Sequence, residues 1–223
     1  QSEATGYAHL YSYDLKTNVK KALTSGSFEV QAVQLSKDKK YFYLSTNEVH
    51  PGEQHFYKMG VAGGKREQNT QKTGAHEVYL SPDETKLAIR YSNSNTPWEL
   101  YVMENKAGGK IVKVTHSTKP EFESYSWKEA KVVTIKATDG ENIYSRVYEP
   151  AKSNGKAVIF VHGAGYLQNA HKWWSQYFRE YMFHHLLTDL GYTVLDIDYS
   201  ASSGYGRNGR TGIYRFMGGK DLT

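Results

Sequence analysis

The sequence predicts a mixed fold, in which a repeated all-β first half precedes a β-α-β unit. In the first 115 residues, strand-like segments recur with a period near 45. From residue 157 onward, a β-branched apolar segment, a long apolar-periodic segment and a second apolar segment follow one another. We therefore expect each half to have its own hydrophobic core.

Three markers define the repeat. The segments His-Leu-Tyr-Ser-Tyr at 9–13, His-Phe-Tyr-Lys-Met at 55–59 and Glu-Leu-Tyr-Val-Met at 99–103 lie 46 and 44 residues apart. A Ser-x-Asp turn at 36–38 recurs 45 residues later at 81–83, and so does a pair of glycines at 63–64 and 108–109. Coincident markers at one period favour four-stranded propeller blades over an all-β sandwich.

The number of repeats sets an expected boundary. Residues 1–115 hold about two and a half units, whereas a propeller needs four or more blades to close. We therefore expect residues 1–118 to be a partial β-propeller, the end of a larger one. The pattern breaks near 116–124, at Pro120, and residues 119–223 form the predicted second domain.

The second domain is predicted element by element. A hairpin is expected from strands at 131–136 and 143–148 around an Asp-Gly turn. The segment 157–161 reads as a strand buried on both faces, ended by His-Gly-Ala-Gly at 162–165. A helix of about five turns should follow, with an apolar face, and Gly191 should cap it before a strand at 192–198. That predicted face contains a series that steps by four, Trp174, Phe178, Met182, Leu186 and Leu190, with Trp173, Tyr177 and Tyr181 beside it.

Composition excludes several classes of protein. The net charge of +5 comes from 28 basic and 23 acidic residues that are interspersed, which does not indicate a nucleic-acid surface. No cysteine is present, so disulfides, thiolate zinc sites and a cysteine nucleophile are excluded. No apolar run approaches the roughly 20 residues of a membrane span. The chain starts at Gln1, so we expect a processed chain or a piece of a longer one.

Several segments of the second half resemble one family when taken in order. They are Ala-Thr-Asp-Gly-Glu-Asn-Ile-Tyr at 137–144, His-Gly-Ala-Gly at 162–165, Asp-Ile-Asp-Tyr at 196–199 and Gly-Tyr-Gly at 204–206. With the repeats before them, they resemble the prolyl oligopeptidase family of serine peptidases, dipeptidyl peptidase IV branch. The resemblance implies the last blades of a β-propeller followed by the N-terminal part of an incomplete α/β-hydrolase domain.

The resemblance also implies a function. The implied chemistry is proteolysis by Ser-His-Asp acyl transfer, in which short peptides are cut after proline or alanine with no metal or organic cofactor. A homodimer through the hydrolase domain and a bacterial periplasmic or extracytoplasmic location are further expectations from the resemblance. The nucleophile of this fold sits in a Gly-x-Ser-x-Gly elbow, and the sequence contains none. We therefore expect a fragment without its catalytic triad that is inactive alone.

Of the family's catalytic site, the resemblance places only the oxyanion hole in this chain. Relatives often have Tyr-Gly-Gly-Pro where this chain has His162 at the tyrosine position and Gly165 at the proline position. They also tend to have Arg-Gly-Ser where this chain has Ser-Ala-Ser-Ser at 200–203. The oxyanion-hole candidates are the side chains of His162 and Tyr166 and the amides of Gly163 and Ala164. Candidates for the active-site rim or a nearby loop are Asp198, Gly204 and Tyr205.

Other interpretations remain open. Asp196 and Asp198 lie on one face of a strand, and we favour a structural role, such as pairing with loop arginines. His184, His185 and Asp189 are more typical of a helix rim than of a metal site. An esterase-type α/β-hydrolase shares His-Gly-x-Gly, and a non-catalytic propeller binding protein with a degenerate hydrolase domain is the alternative from another class.

Overall fold

The computed structural model describes residues 1–163 and 166–222. It divides into two compact units. Unit 1 comprises residues 1–91, 98–116 and 204–208, and unit 2 comprises residues 92–97, 117–203 and 209–223.

Unit 1 is built from antiparallel β-sheets that match the predicted repeat. One sheet pairs only two strands, β1 and β2. The second has the order β3-β4-β5-β6, antiparallel throughout, and the third has the order β10-β9-β8-β7. The strands are β1 (Tyr11–Asp14), β2 (Val19–Ala22), β3 (Val30–Leu35), β4 (Tyr41–Thr46), β5 (His55–Gly60), β6 (Arg66–Gln68), β7 (Ala75–Leu80), β8 (Lys86–Asn93), β9 (Thr96–Glu104) and β10 (Val112–Lys113). Two four-stranded sheets and one two-stranded sheet therefore follow the order of the repeated segments.

The Ser-x-Asp turns are equivalent in the two full sheets. Ser36 Oγ donates to Asp38 at 2.7 Å and accepts the amide of Tyr41 at 3.0 Å, which closes the turn between β3 and β4. Ser81 Oγ donates to Asp83 at 2.6 Å and accepts the amide of Lys86 at 2.9 Å. The same local side-chain bonds form twice because the same residues recur at the same spacing.

A further repeated contact escaped the sequence analysis. In each repeat a threonine hydroxyl accepts the second backbone amide of the strand-like marker: Thr24 from Leu10 at 3.0 Å, Thr70 from Phe56 at 2.9 Å and Thr115 from Leu100 at 2.8 Å. Thr24, Thr70 and Thr115 lie 46 and 45 residues apart, so the period itself contained this information.

Unit 2 is a mixed sheet with one long helix. Its elements are α1 (Pro120–Ser124), β11 (Lys131–Lys136), β12 (Asn142–Tyr148), β13 (Ala157–Val161), α2 (Phe178–Asp189) and β14 (Thr193–Asp198); α3 (Gly206–Arg210) follows along the chain. The sheet order is β11-β12-β14-β13, in which β13 and β14 run parallel and the other pairs are antiparallel. The predicted hairpin and the parallel β-α-β connection are confirmed, and Gly191 follows the helix with φ +91°.

The structure corrects two predictions about burial. Strand β13 is not buried on both faces, since Ile159 and Val161 are 63% and 60% exposed. The helix spans 12 residues rather than five turns, and of the predicted broad face it buries Tyr181 but not the series that steps by four. Its buried residues are Tyr181, His184, His185 and Thr188, whereas Phe178, Met182, Leu186 and Leu190 are exposed.

Polar bonding explains which helix face is buried. His185 lies with Nδ1 2.8 Å from the carbonyl of Tyr181 and Nε2 3.1 Å from that of Lys128. Tyr181 packs on Trp127 and Trp174 at ring-centroid distances of 5.5 and 4.8 Å. The buried residues fall at i, i+3, i+4 and i+7, which is a helical stripe of aromatic and polar side chains. A search for apolar residues at a spacing of four misses that stripe, because His184, His185 and Thr188 are polar.

Removal of a threonine hydroxyl tests the repeated contact. Thr70→Val leaves the buried amide of Phe56 without its hydrogen-bond acceptor, so we expect the free energy of unfolding to fall by about 1–3 kcal/mol. Ser153→Ala removes a hydroxyl that accepts the Gly155 amide at 3.0 Å in an exposed turn, where water replaces it, and should cost clearly less. Urea denaturation of both variants measures the difference, and equal losses would contradict this account.

Candidate functional site

The carboxyl ends of β13 and β14 meet at one edge of the unit 2 sheet, and buried polar side chains gather there. Asp196 and Asp198 alternate with Ile197 along β14, so both carboxylates point to the same buried face, with exposures of 0% and 2%. Buried carboxylates need hydrogen-bonding partners, and each aspartate has a different set.

Asp198 ties together the two ends of the loop that follows β13. Its Oδ1 accepts the amide of Asn169 at 2.7 Å, and its Oδ2 accepts the amide of Ala170 at 3.0 Å. Its Oδ1 also lies 3.1 Å from Nε2 of His162, the first residue after β13. One carboxylate therefore holds the segment 162–170 at both its start and its end.

His162 is fully occupied by protein acceptors. Nδ1 lies 3.0 Å from the carbonyl of Gly163, and Nε2 lies 3.1 Å from Ser202 Oγ as well as from Asp198. The ring stacks on Tyr199 at 4.8 Å, and the Tyr199 hydroxyl donates to the His162 carbonyl at 3.0 Å. Burial by itself lowers the pKa of His162, but its hydrogen bonds to Asp198 and Gly163 outweigh burial and raise that pKa.

The three types of residue that form a catalytic triad meet at this edge, in Ser202, His162 and Asp198. Their arrangement, however, is not that of a triad. In a triad the aspartate holds Nδ1 of the histidine, so that Nε2 is free to take the proton of the serine. Here the carboxylate and the hydroxyl both lie at Nε2, and Ser202 is 1% exposed. The group fastens the loop and does not relay a proton.

The other oxyanion-hole candidates follow His162 in the same loop. Gly163 lies in open space, since a Cβ added there would meet no heavy atom within 4 Å. Tyr166 is half exposed with φ +66°, and the Arg210 guanidinium lies 5.6 Å over its ring. Ala164 lies outside the described residues.

Gly204 and Tyr205 belong to unit 1 rather than to the edge described above. The Gly204 carbonyl accepts Asn47 Nδ2 at 2.9 Å, and the Gly206 amide donates to Glu29 Oε1 at 3.0 Å. A Cβ on Gly206 would lie 2.8 Å from the Gly6 carbonyl oxygen, so the close approach requires glycine there. In the structure this segment anchors to the sheets of unit 1.

A second buried centre surrounds Asp196, and the sequence analysis missed most of it. Arg146 Nη2 on β12 donates to Asp196 Oδ2 at 2.6 Å and lies 3.5 Å from Glu180 Oε1 on α2. Asn169 Nδ2 donates to Asp196 Oδ1 at 2.8 Å. The expected partner of the aspartates was a loop arginine; the observed one is on a strand. A charged residue in the apolar segment 143–148 was the available sign.

The donor types around Asp196 also raise the question of a metal. Glu180, His184 and Asp196 place one potential ligand atom each within 4.8 Å of one another. However, the Arg146 guanidinium already contacts both carboxylates and supplies the positive charge that they need. The other histidine of that helix, His185, bonds to backbone carbonyls, and Asp189 pairs with Lys128.

Ala201 adjoins Ser202 in an unusual backbone conformation. It is 2% exposed and has φ +109°, a value in the region that favours glycine. The Arg-Gly-Ser of the prolyl oligopeptidase family places glycine at this step before Gly-Tyr-Gly.

Comparisons with known proteins all give matches to dipeptidyl peptidases of type IV. Residues 1–98 match the family described as "Dipeptidyl peptidase IV (DPP IV) N-terminal region". The dipeptidyl peptidase 4 of Trichophyton equinum and the probable dipeptidyl peptidase 4 of Arthroderma benhamiae are each 23% identical over 227 residues. These alignments cover 97% of this chain and 29% of each relative.

A solved structure extends the comparison to the fold. The crystal structure of Porphyromonas gingivalis dipeptidyl peptidase 4 is similar with a TM-score of 0.78 and 19% identity, over 96% of this chain and 30% of that one. The chain thus spans about three-tenths of the length of these proteins, and the matches support the dipeptidyl peptidase IV family. The curated relatives named above are fungal, which gives no support to the expected bacterial source.

Within the described residues, none of the helices has the length and apolarity needed to cross a bilayer.

The buried carboxyl of Glu180 makes a testable contribution to stability. Burial raises its pKa to about 7 from an ordinary 4.5, although Arg146 opposes the shift. A carboxyl whose pKa is raised by folding contributes stability that is complete below pH 4.5 and lost as the pH rises through 7. We expect the wild type to lose on the order of 2 kcal/mol relative to Glu180→Gln between pH 4.5 and 8.

Urea denaturation across that pH range measures the difference between the two proteins. Glu129→Gln, at an exposed carboxyl of the same unit, is the matched control and should track the wild type at every pH. A Glu180→Gln difference that does not change with pH would refute the assignment.

Ala201→Gly should stabilise the chain. Relief of the strained φ is worth about 1–3 kcal/mol, and glycine gives back up to about 1 kcal/mol in unfolded-state entropy, so the expected net gain is on the order of 1 kcal/mol. Ala170→Gly, at a buried alanine with ordinary φ, should instead destabilise by about that much. Chemical denaturation should show opposite signs for the two variants, and a loss in both would contradict the strain.

Proposed function

We propose that this chain is part of a dipeptidyl peptidase IV-type serine exopeptidase. The observation that carries the proposal is that one protein type aligns with both units, in order, over 97% of the chain. In this proposal residues 1–118 are propeller blades and residues 119–223 begin an α/β-hydrolase domain. The mixed sheet, in which an antiparallel hairpin precedes a parallel strand-helix-strand unit, supports the second assignment.

The hydrogen bonds of His162 limit which groups of the loop after β13 can donate to an oxyanion. In α/β-hydrolases this loop supplies one donor to the oxyanion hole. Both ring nitrogens of His162 already face protein acceptors, so the imidazole is not free to bind an oxyanion. We therefore assign the donor to backbone amides at 163–164 or to the half-exposed Tyr166, with His162 and Asp198 as positioning residues.

The substrate class follows from the family. A short peptide with a free N-terminus would be cut by acyl transfer, and the propeller would restrict access to the site. Homodimer formation through the hydrolase domain and an extracytoplasmic location belong to the same proposal. The nucleophile is assigned to a Gly-x-Ser-x-Gly elbow that these 223 residues do not contain.

A binding protein with a degenerate hydrolase domain is the second candidate. The observation that favours it is Ala201, which occupies a glycine-type conformation beside the loop-fastening group. The Arg-Gly-Ser typical of the family is replaced here by Ser200-Ala201-Ser202, and such a departure from the family pattern is what a degenerate hydrolase domain would show.

Fluorophosphonate labelling and mass spectrometry separate the candidates. We expect the 223-residue chain, at 25.3 kDa, to take no label and to release no p-nitroaniline from Gly-Pro-p-nitroanilide. The product of the complete gene should label on one serine and cleave that substrate. Labelling of the 25.3 kDa chain would overturn the assignment of the nucleophile, and a complete product that takes no label would favour the binding protein.

A further inference from the structure

His162 begins the loop after β13, and each of its ring nitrogens faces a group that can accept a hydrogen bond. Nδ1 lies 3.0 Å from the Gly163 carbonyl, which has no hydrogen to give, so Nδ1 must carry a proton. Nε2 lies 3.1 Å from Asp198 Oδ1 and 3.1 Å from Ser202 Oγ. The protonation of Nε2 therefore depends on whether the carboxylate or the hydroxyl is its partner.

The carboxylate of Asp198 is held in its ionised form by the far end of the same loop. The amides of Asn169 and Ala170 donate to its two oxygens at 2.7 and 3.0 Å, and such donors stabilise the charged carboxylate. An ionised carboxylate can only accept, so a bare Nε2 would place two lone pairs 3.1 Å apart. A proton on Nε2 turns this contact into a charge-assisted hydrogen bond. The ring that fits these partners is therefore the imidazolium.

The other titratable groups beside the ring leave its charge in place. Asp196, on the same buried face of β14, adds negative charge that favours the protonated ring. Tyr199 stacks on the ring at 4.8 Å, and burial raises the pKa of its phenol above the ordinary 10.0, so the phenol is neutral where a histidine titrates. Burial by itself lowers the pKa of His162, but its hydrogen bonds and the charges of Asp198 and Asp196 raise that pKa above the ordinary 6.5.

We propose that the contact between His162 and Asp198 fastens this loop in a pH-dependent way, present while the ring carries both protons and lost once Nε2 is deprotonated. The Ser202 hydroxyl then donates to the bare nitrogen in place of the carboxylate contact. A group whose pKa is raised by folding contributes stability that is complete below its unfolded pKa and is lost as the pH rises through its folded pKa. The loop is therefore released toward alkaline pH.

The consequence for catalysis rests on the proposed function. A donor to the oxyanion hole acts only if it is held where charge develops in the transition state. Release of His162 from Asp198 removes one of the two attachments of the loop, and the donor loses its fixed position. The fastening itself does not depend on peptidase activity and is measured in this chain directly.

Imidazole nitrogen spectra of the ¹⁵N-labelled 223-residue chain test the fastening. We expect both ring nitrogens of His162 to remain protonated well above pH 6.5, where an ordinary histidine is half protonated. The same chain unfolded in urea supplies the reference titration. Because Asn169 and Ala170 donate to Asp198, their backbone amide resonances should move with pH along the His162 titration curve.

The amide of Glu141 is the matched control for the loop amides. It donates to the Asp139 carboxylate at 3.0 Å, and this carboxylate pairs with Lys220 at 2.8 Å rather than with a histidine. Its resonance should therefore not follow the His162 titration curve.

Two variants separate His162 from a second buried group that titrates near neutral pH. Glu180, whose pKa burial raises to about 7, reaches Asp196 through Arg146. Glu180→Gln should leave the pH-dependent movement of the two loop amides intact. His162→Gln keeps a side-chain donor at this position but cannot titrate, so the movement should be lost.

The wild-type titration decides the matter even if His162→Gln fails to fold. A His162 pKa at or below that of the urea-unfolded chain would overturn the proposal, and so would loop amides whose movement is abolished by Glu180→Gln. These readouts do not involve peptidase activity, so their failure is distinguishable from a failure of the complete gene product to take the fluorophosphonate label.

Discussion

Unit 2 is organised by the burial of two carboxylates on one strand. Asp196 and Asp198 lie on the covered face of β14, where an unpaired charge would cost several kcal/mol. Their partners come from β12, from the loop after β13 and, through Arg146, from α2. The sheet order brings these elements together, and the carboxylates in turn require that they stay together. Loss of Arg146 alone would leave Asp196 uncompensated, at a cost of about 3–5 kcal/mol.

The same constraint decides which side of α2 faces the sheet. A prediction from hydrophobic periodicity assumes that the surface against which a helix packs is apolar. The apolar series that ends at Leu190 was therefore expected to be buried. The covered face of β14 carries two carboxylates beside Val194, so the helix presents Glu180 and His184 near Asp196 and packs Tyr181 in the apolar cluster with Val194. The aliphatic residues then remain on the outer side. The wrong prediction therefore arose from the polarity of the surface against which the helix packs.

Sequence reasoning succeeded where the determining contacts are local. The Ser-x-Asp turns, the Asp-Gly hairpin and the cap at Gly191 each depend on residues a few positions apart, and all of them occur in the structure. The candidate site depends on pairs such as Arg146 with Asp196, which are 50 residues apart. No periodicity reveals such pairs, because each partner alone resembles an ordinary surface charge. The two aspartates were noticed, but their partners required the fold.

Under the proposed function, the buried carboxylates also have a role in holding the loop after β13. A loop that supplies an oxyanion donor must be held rigidly, because the donor has to meet charge that develops only in the transition state. Asp198 provides that rigidity at both ends of the segment, and His162 is used up in providing it. The strained Ala201 sits beside Ser202, which shares the same imidazole nitrogen. The backbone strain at Ala201 thus lies next to the side chains that hold the loop. Such strain persists only where surrounding contacts over-determine the conformation, and the fastened loop supplies those contacts.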